Sequence, residues 1–199
     1  MTRKNGTDAV MPWQRLAEAA GLAFALHAEQ RRKGTDIPYL AHLLGVAGIV
    51  LEHGGDEEQA IAGLLHDAIE DCGIEQEAVI RDRFGPRVAN IVRGCTDTDV
   101  VPKPPWRARK EAYIAHLEHA DPDVLLVSCA DKLHNARAIV TDLRTHGVEM
   151  FERFTGGKDG TVWYYATLSD AFLRFLPGPL ARELADAVDT MRRLSEMPG

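Results

Sequence analysis

Residues 64–71, Leu-Leu-His-Asp-Ala-Ile-Glu-Asp, bring four ionisable side chains together behind the nearly uncharged run Ala60-Ile61-Ala62-Gly63. On a helix, His66 and Glu70 are four apart, as are Asp67 and Asp71, so the four form one contiguous polar patch. The run before them predicts a helix buried on most sides. Adjacent carboxylates buried without a partner are prohibitively costly, and the escapes are a counter-charge, protonation or a metal ion. The plainer alternative is local capping or pairing at the end of a core helix.

Two later comparisons along the chain favour the ion. His42 opens an otherwise apolar segment containing Leu43, Leu44, Val46, Ile49 and Val50. Alone, such a histidine is more often a satisfied core residue than a ligand. Asp131 follows the apolar run Val124-Leu125-Leu126-Val127 closely, and Asn135 lies four residues on, over the same face. Three separated helices thus offer His42, His66 with Asp67, and Asp131, and helical bundles build metal sites from such convergent side chains. Two neutral imidazoles and two carboxylates carry a charge that one divalent cation cancels. Mixed nitrogen and oxygen donors accept Mn²⁺, Fe²⁺, Co²⁺ or Zn²⁺. Four protein donors leave open positions only on a five- or six-coordinate ion, which favours Mn²⁺ or Fe²⁺ over tetrahedral zinc.

The elements that must position these groups read as helices throughout. Residues 13–32 repeat Leu16, Ala19, Ala20, Ala23, Phe24 and Ala28 at helical spacing. That helix is predicted to end in Arg31-Arg32-Lys33, where cations suit the dipole. A second helix spans about 41–53, and Asp56, after Gly54-Gly55, is the expected cap of the His66 helix. Short helices are predicted over 74–84 and 86–93, split by Gly85-Pro86. Residues 96–105, with three prolines, are the main loop. The helix from Trp106 to about His119 opens with Arg107, Arg109 and Lys110, which either cradle an anion or form a solvated face. A long buried helix follows over about 123–144. After Gly156-Gly157 another begins near Val162-Trp163-Tyr164-Tyr165, and a last amphipathic helix spans 180–194. No strand pattern and no internal repeat stand out, so the fold class is all-α.

The chain has 199 residues, 45% hydrophobic and 27% charged, with a formal net charge of −7. That suits one domain with a proper core. The expected organisation is a flexible N-terminus over 1–11, a main domain over 12–176, and a C-terminal helix over 177–199 packed on the same domain. The acidic balance argues against a general nucleic-acid binder but leaves room for a local basic patch serving one small anion. No apolar run reaches membrane-spanning length, and the first residues lack the apolar core of a signal peptide. Cys72, Cys95 and Cys129 are odd in number with no C-x-x-C spacing. They read as reduced, mostly buried thiols of a cytoplasmic protein.

The order His42, His66-Asp67, Asp131 resembles the H…HD…D pattern of the HD-domain metal-dependent phosphohydrolases. The surrounding residues narrow the likeness: Arg32-Lys33, Pro38-Tyr39, residues 65–71, Phe84-Gly85 and Ala130-Asp131-Lys132-Leu133-His134-Asn135. They look like the hydrolase half of the RelA/SpoT alarmone enzymes, and more closely the stand-alone small alarmone hydrolases, over about residues 24–175. The resemblance implies an HD-domain helical bundle with a buried metal site. It implies hydrolysis of the 3′-pyrophosphate of (p)ppGpp to GDP or GTP and pyrophosphate. By the same likeness His42, His66, Asp67 and Asp131 would hold the ion, usually Mn²⁺, and Glu70 and Asp71 would position or deprotonate the attacking water. Arg32 and Lys33 would meet the base or phosphates, Asn135 the ribose or a metal-bound water, and Arg107, Arg109 and Lys110 the 5′ phosphates.

Two departures bear on which nucleotide is taken rather than on the chemistry. Acid follows Thr96-Asp97 where the bifunctional relatives carry lysine, and the spacing of residues 34–38 differs from their usual form. The length leads us to expect a hydrolase with no synthetase domain. The nearest rival keeps the enzyme and changes the substrate to an NADP(H)-type 2′ phosphate or a deoxynucleotide. A rival of another class is a non-catalytic nucleotide sensor, against which the presence of Glu70 and Asp71 speaks.

Overall fold

Helices do nearly all the folding in a computed structural model that describes residues 13–98 and 102–197. The stretch 1–11, expected to be flexible, lies outside the described residues. The elements run α1 (Gln14–Leu26), α2 (Leu40–Glu52), α3 (Glu57–Leu65), α4 (Ala68–Cys72), α5 (Gln76–Phe84), α6 (Pro86–Cys95) and α7 (Trp106–Leu117). Then follow α8 (Pro122–His146), a 3₁₀ turn (Gly147–Arg153), α9 (Gly157–Phe175) and α10 (Pro179–Glu196). Among the described residues no strand forms; Arg31 and Pro38 make one isolated antiparallel bridge.

The centre of the bundle is built by α2, α3 and α8, each packed against the other two. Pro122 starts α8 in its first turn, where a missing N–H costs nothing, and the Asp121 carboxylate accepts from the Asp123 N–H. Along its 25 residues the buried face carries Leu125, Cys129, Leu133, Ala136 and Val140, so Asp131 enters the core within a helix whose apolar packing fixes it. Asp56 caps α3 as expected, with Gln59 completing a reciprocal capping box. Helices α2 and α3 approach closely at Gly63, where a Cβ would lie 3.2 Å from the Ala47 Cα. That proximity brings the end of α3, and hence His66, up to the start of α2. On the far side, Leu180, Leu184, Val188 and Met191 recur at helical spacing and seat α10 on α8 and α9.

Three local expectations differ from what forms. Helix α1 ends at Leu26, not near residue 32. Its apolar period stops there, because Glu29 to Lys33 are all polar or charged and give α1 nothing further to bury. The chain instead reverses, held by Arg32 N–H to Ile37 O at 2.8 Å and Tyr39 N–H to Gln30 O at 2.9 Å. Arg31-Arg32-Lys33 therefore lie in this hairpin-like turn and not at a helix end. Second, the His66 helix is two pieces: α3 stops at Leu65 and α4 begins at Ala68, with His66 and Asp67 at the joint. Asp67 O still accepts from the Asp71 N–H at 2.9 Å, so the i, i+4 relation survives the break. Third, the 3₁₀ turn was not anticipated, and α9 starts at Gly157, five residues before Val162. Glycine carries no apolar period to announce that first turn.

Candidate metal centre

The joint between α3 and α4 points His66 and Asp67 at the first turn of α2 and the middle of α8. The ligating atoms of His42, His66 and Asp67 lie within 4.8 Å of one another. Asp131 Oδ1 joins them at 3.2 Å from His42 Nε2 and 3.6 Å from His66 Nε2. His42 and His66 are 1% and 2% exposed and Asp131 6%, while Asp67 keeps a partly open side.

Each imidazole presents Nε2 inward. His66 Nδ1 lies 2.8 Å from Gly63 O one turn earlier, which requires the proton on Nδ1. His66 Nε2 is then a buried atom with no hydrogen bond, although Asp67 Oδ2 stands 3.0 Å away. In the neutral ring Nε2 carries a lone pair facing two carboxylates, an arrangement that a shared cation resolves and that, failing one, a proton on the same atom resolves. This is the observation by which the donor set fits a divalent ion.

Electrostatics say the same in another way. Burial disfavours the charged form of His66, yet the Asp67 and Asp131 carboxylates outweigh it and hold the ring well above its ordinary pKa. His42 is held below the ordinary value, chiefly by burial. Burial also opposes both carboxylates, and neighbours overcome it: His66 lowers Asp67, while Lys132, His42 and His66 lower Asp131. Without an ion, one proton on His66 stands in for the missing positive charge. Lys132 Nζ donates to Asp131 Oδ2 at 2.6 Å, and Tyr39 Oη donates to Asp67 Oδ2, so each carboxylate has one oxygen engaged outside the centre or at its rim.

Glu70 and Asp71 sit on α4, one turn beyond His66 and Asp67. Glu70 Oε1 is 2.8 Å from Lys103 Nζ, and Asp71 Oδ2 accepts from Gln30 Nε2 at 2.8 Å. Partial burial and then the Asp67 charge raise the pKa of Asp71 above the usual carboxylate value. Asn135 lies over Asp131 as its spacing predicted, donating from Nδ2 to Oδ1 at 2.5 Å and accepting from Arg32 Nη2 at 2.9 Å. Arg32 and Lys33 line one cavity of about 340 Å³ with Tyr39 and Asn135. Lys33 and Asn135 also line a second, of about 280 Å³, walled by Lys110, Lys132, Tyr164 and Tyr165.

The basic start of α7 is not brought in as a unit. Lys110 lines the second cavity, though it also donates to Asp97 at 2.8 Å, beside Arg109. Arg107 stacks 3.2 Å over the Trp163 ring and bonds Glu111. Successive side chains on a helix point about 100° apart, so Trp106 and Lys110 reach the cavity while Arg107 is turned to the surface, and Arg109 is taken up by the Asp97 carboxylate that it shares with Lys110. A wider cleft of about 550 Å³ beside α6 and α7 is lined by none of the candidate site residues. Sequence reasoning gave no role to Gln30, Lys103, Lys132 or His134. Lys132 had a signal, since a lysine next to a buried aspartate is its nearest counter-charge; the partners of Gln30 and Lys103 depend on loops that no periodicity describes.

The chain matches the HD domain family model over residues 19–162. It belongs to the HD domain family. The guanosine-3′,5′-bis(diphosphate) 3′-pyrophosphohydrolase MESH1 of Xenopus tropicalis is 41% identical over 125 residues, covering 61% of this chain and 68% of that protein. A probable guanosine-3′,5′-bis(diphosphate) 3′-pyrophosphohydrolase of Synechocystis is 35% identical over 137 residues, which span 62% of this chain and 16% of the relative. Among solved structures, a metazoan ortholog of SpoT that hydrolyzes ppGpp superposes with a TM-score of 0.72 at 26% identity, over 96% of this chain and 99% of that one.

Proposed function

We propose that this chain is a metal-dependent (p)ppGpp 3′-pyrophosphohydrolase. Water attacks the phosphorus of the 3′-pyrophosphate, the bond to the ribose 3′ oxygen breaks, and GDP or GTP leaves with a free 3′ hydroxyl beside inorganic pyrophosphate. The observation that carries the metal dependence is the unpartnered, buried His66 Nε2 between two carboxylates. The substrate class rests on the family and on the likeness to relatives that bear this activity.

His42, His66, Asp67 and Asp131 would hold the ion, and we assign Mn²⁺ because four protein donors leave open positions on it. When bound, a divalent ion supplies Lewis-acid chemistry, making water more acidic and balancing charge on the phosphoryl oxygens. The protein's own groups do the rest. Asp71, with its raised pKa, is suited to take a proton from the attacking water, and Glu70 stands beside it to orient that water. Arg32, Lys33, Lys110 and Lys132 give the two cavities the positive charge that a tetraphosphorylated guanosine requires. Arg107 and Arg109 are left with at most an outer part in phosphate binding. We place the reaction in the cytoplasm; no helix among the described residues is long and apolar enough to cross a membrane.

Purified protein, stripped with a chelator and reloaded with Mn²⁺, should release pyrophosphate from ppGpp and lose that activity on stripping. Faster turnover of NADP⁺ or a deoxynucleotide in the same panel would replace the substrate; undiminished activity after stripping would remove the mechanism.

A further inference from the structure

His66 and His42 meet the same centre with different support. His66 is held by a carbonyl of its own chain one turn back. His42 has no such partner: the carbonyl three residues earlier, Tyr39 O, already accepts from the His42 and Leu43 N–H groups. What stands at His42 Nδ1 is a second imidazole from α8, His134 Nδ1, at 2.9 Å, with ring centroids 4.8 Å apart. Two nitrogens at this distance share one proton, and only one of them can be the donor.

Helix α2 is shaped to admit this ring. At Gly45, three residues after His42, a Cβ would lie 2.3 Å from both Cδ2 and Nε2 of His134. No real side chain tolerates that contact, so any residue larger than glycine would push the imidazole from its seat. Helix α8 thus delivers two groups to the centre from one face: Asp131 directly, and His134, one turn on, behind His42.

We infer that His134 is a positioning residue that fixes the tautomer and ring plane of His42, accepting the Nδ1 proton of His42 and leaving the His42 Nε2 lone pair aimed at the ion, with Gly45 as the space that permits it. The inference rests on the reading of His42 as a ligand. It makes His134 a neutral imidazole protonated at Nε2, since its Nδ1 must accept. A partner behind a ligating histidine sets both its orientation and its basicity, and losing one costs roughly 10- to 100-fold in metal affinity.

The test is Zn²⁺ affinity, measured by competition with a chromophoric chelator, on the full chain and five variants. His134→Ala should weaken binding by about 10- to 100-fold. His134→Asn, which puts a carbonyl oxygen near the place of Nδ1, should recover most of that loss. Gly45→Ala should weaken binding in the wild-type background and do little more in the His134→Ala background, because the methyl group has then no ring to displace. Long-range nitrogen–proton spectra of the Zn²⁺ protein should show His42 protonated at Nδ1. Wild-type affinity in His134→Ala, no recovery in His134→Asn, or additive losses from Gly45→Ala would each overturn the inference. His42→Ala separates the two levels: if it binds Zn²⁺ normally, the ligand assignment itself is wrong; if it does not while His134→Ala does, the assignment stands and only the role of His134 falls.

Discussion

If His66 is a ligand, as proposed, ion and proton compete for one atom, and the competition sets a number. His66 Nδ1 is committed to Gly63 O, so Nε2 is the only place on that ring for either a proton or a metal ion. In the ion-free protein the carboxylates hold that proton with a raised pKa, whereas burial holds His42 below its ordinary value and so disfavours a second proton on that ring. Binding one divalent ion should therefore release one proton, not zero and not two. Below the raised pKa the apparent dissociation constant should grow tenfold for each unit of falling pH, or about 1.4 kcal/mol per unit. Titrating Mn²⁺ calorimetrically between pH 6 and 8, in buffers of different ionisation enthalpy, counts the proton directly. The ion-free protein gives an independent check. The contribution of His66 is fully present below the unfolded value of about 6.5 and is lost as pH rises through the folded pKa. Those of His42 and His134, the latter pushed down to about 4 by burial and the neighbouring His42, run the other way and are lost as pH falls below about 6.5. Chelated protein should thus melt highest near pH 6.5, roughly the unfolded histidine value. A pH-independent affinity with no proton released would refute the picture of one lone pair shared between two carboxylates.

Other perturbations follow from single contacts. Gln30→Ala removes a hydrogen bond that lowers the pKa of Asp71, so the acid limb of the kcat/KM profile should move to higher pH, with kcat falling about 5- to 10-fold for the loss of roughly 1 kcal/mol of orientation. An unshifted acid limb would remove Asp71 from proton transfer. Leu168→Ala, in the core of α9, should cost about 2–5 kcal/mol of stability yet leave Mn²⁺ affinity unchanged, by thermal melts and calorimetry. Burial raises the pKa of the Cys129 thiol, which has no exposed surface, so it should not react with a disulfide reagent at pH 8 until the protein is unfolded, whereas half-buried Cys95, pushed up to about 11, should react slowly. Rapid labelling of the native protein at Cys129 would mean that this part of the core opens far more readily than its packing implies.

Legibility in the sequence followed the kind of constraint at each position. The clustering of His42, His66, Asp67 and Asp131 could be read because burial and charge contradict one another there: Asp131 after an apolar run, or His66-Asp67 after Leu64-Leu65, makes sense only with a partner. Asn135 over Asp131 could be read because helical spacing is rigid over one turn. The end of α1 could not. Residues 27–33 continue a sequence compatible with helix, and the reversal is fixed by Gln30 and Arg32 pairing with Tyr39 and Ile37 in a segment where no periodicity operates. That error carried a consequence for the site. Treated as a helix end, Arg32 is a solvated cation; in the turn, its guanidinium reaches Asn135 on α8. The start of α7 failed for a related reason, since composition gives three cations in a cluster, while angular position sends Arg107 to Trp163 and the loop residue Asp97 engages both Arg109 and Lys110.

The same contrast explains why the centre is assembled from both rigid and irregular backbone. Asp131, His134 and Asn135 come from one long helix whose packing neighbours fix them, and one oxygen of the Asp131 carboxylate is engaged by Lys132. Glu70, Asp71 and Arg32, by contrast, are oriented by residues in turns and loops: Lys103, Gln30 and the reversal after α1. Helix-borne groups keep their geometry as charge comes and goes, which is what holding an ion requires. Groups held from loops can adjust by small amounts as a polyphosphate enters and leaves, and the cost of moving them is one or two exposed hydrogen bonds rather than a repacked core. Ion affinity should therefore respond to substitutions on α2, α3 and α8, and substrate turnover to substitutions at Gln30 and Lys103. A Lys103→Ala protein with unchanged KM and kcat but weakened Mn²⁺ binding would reverse that division of labour.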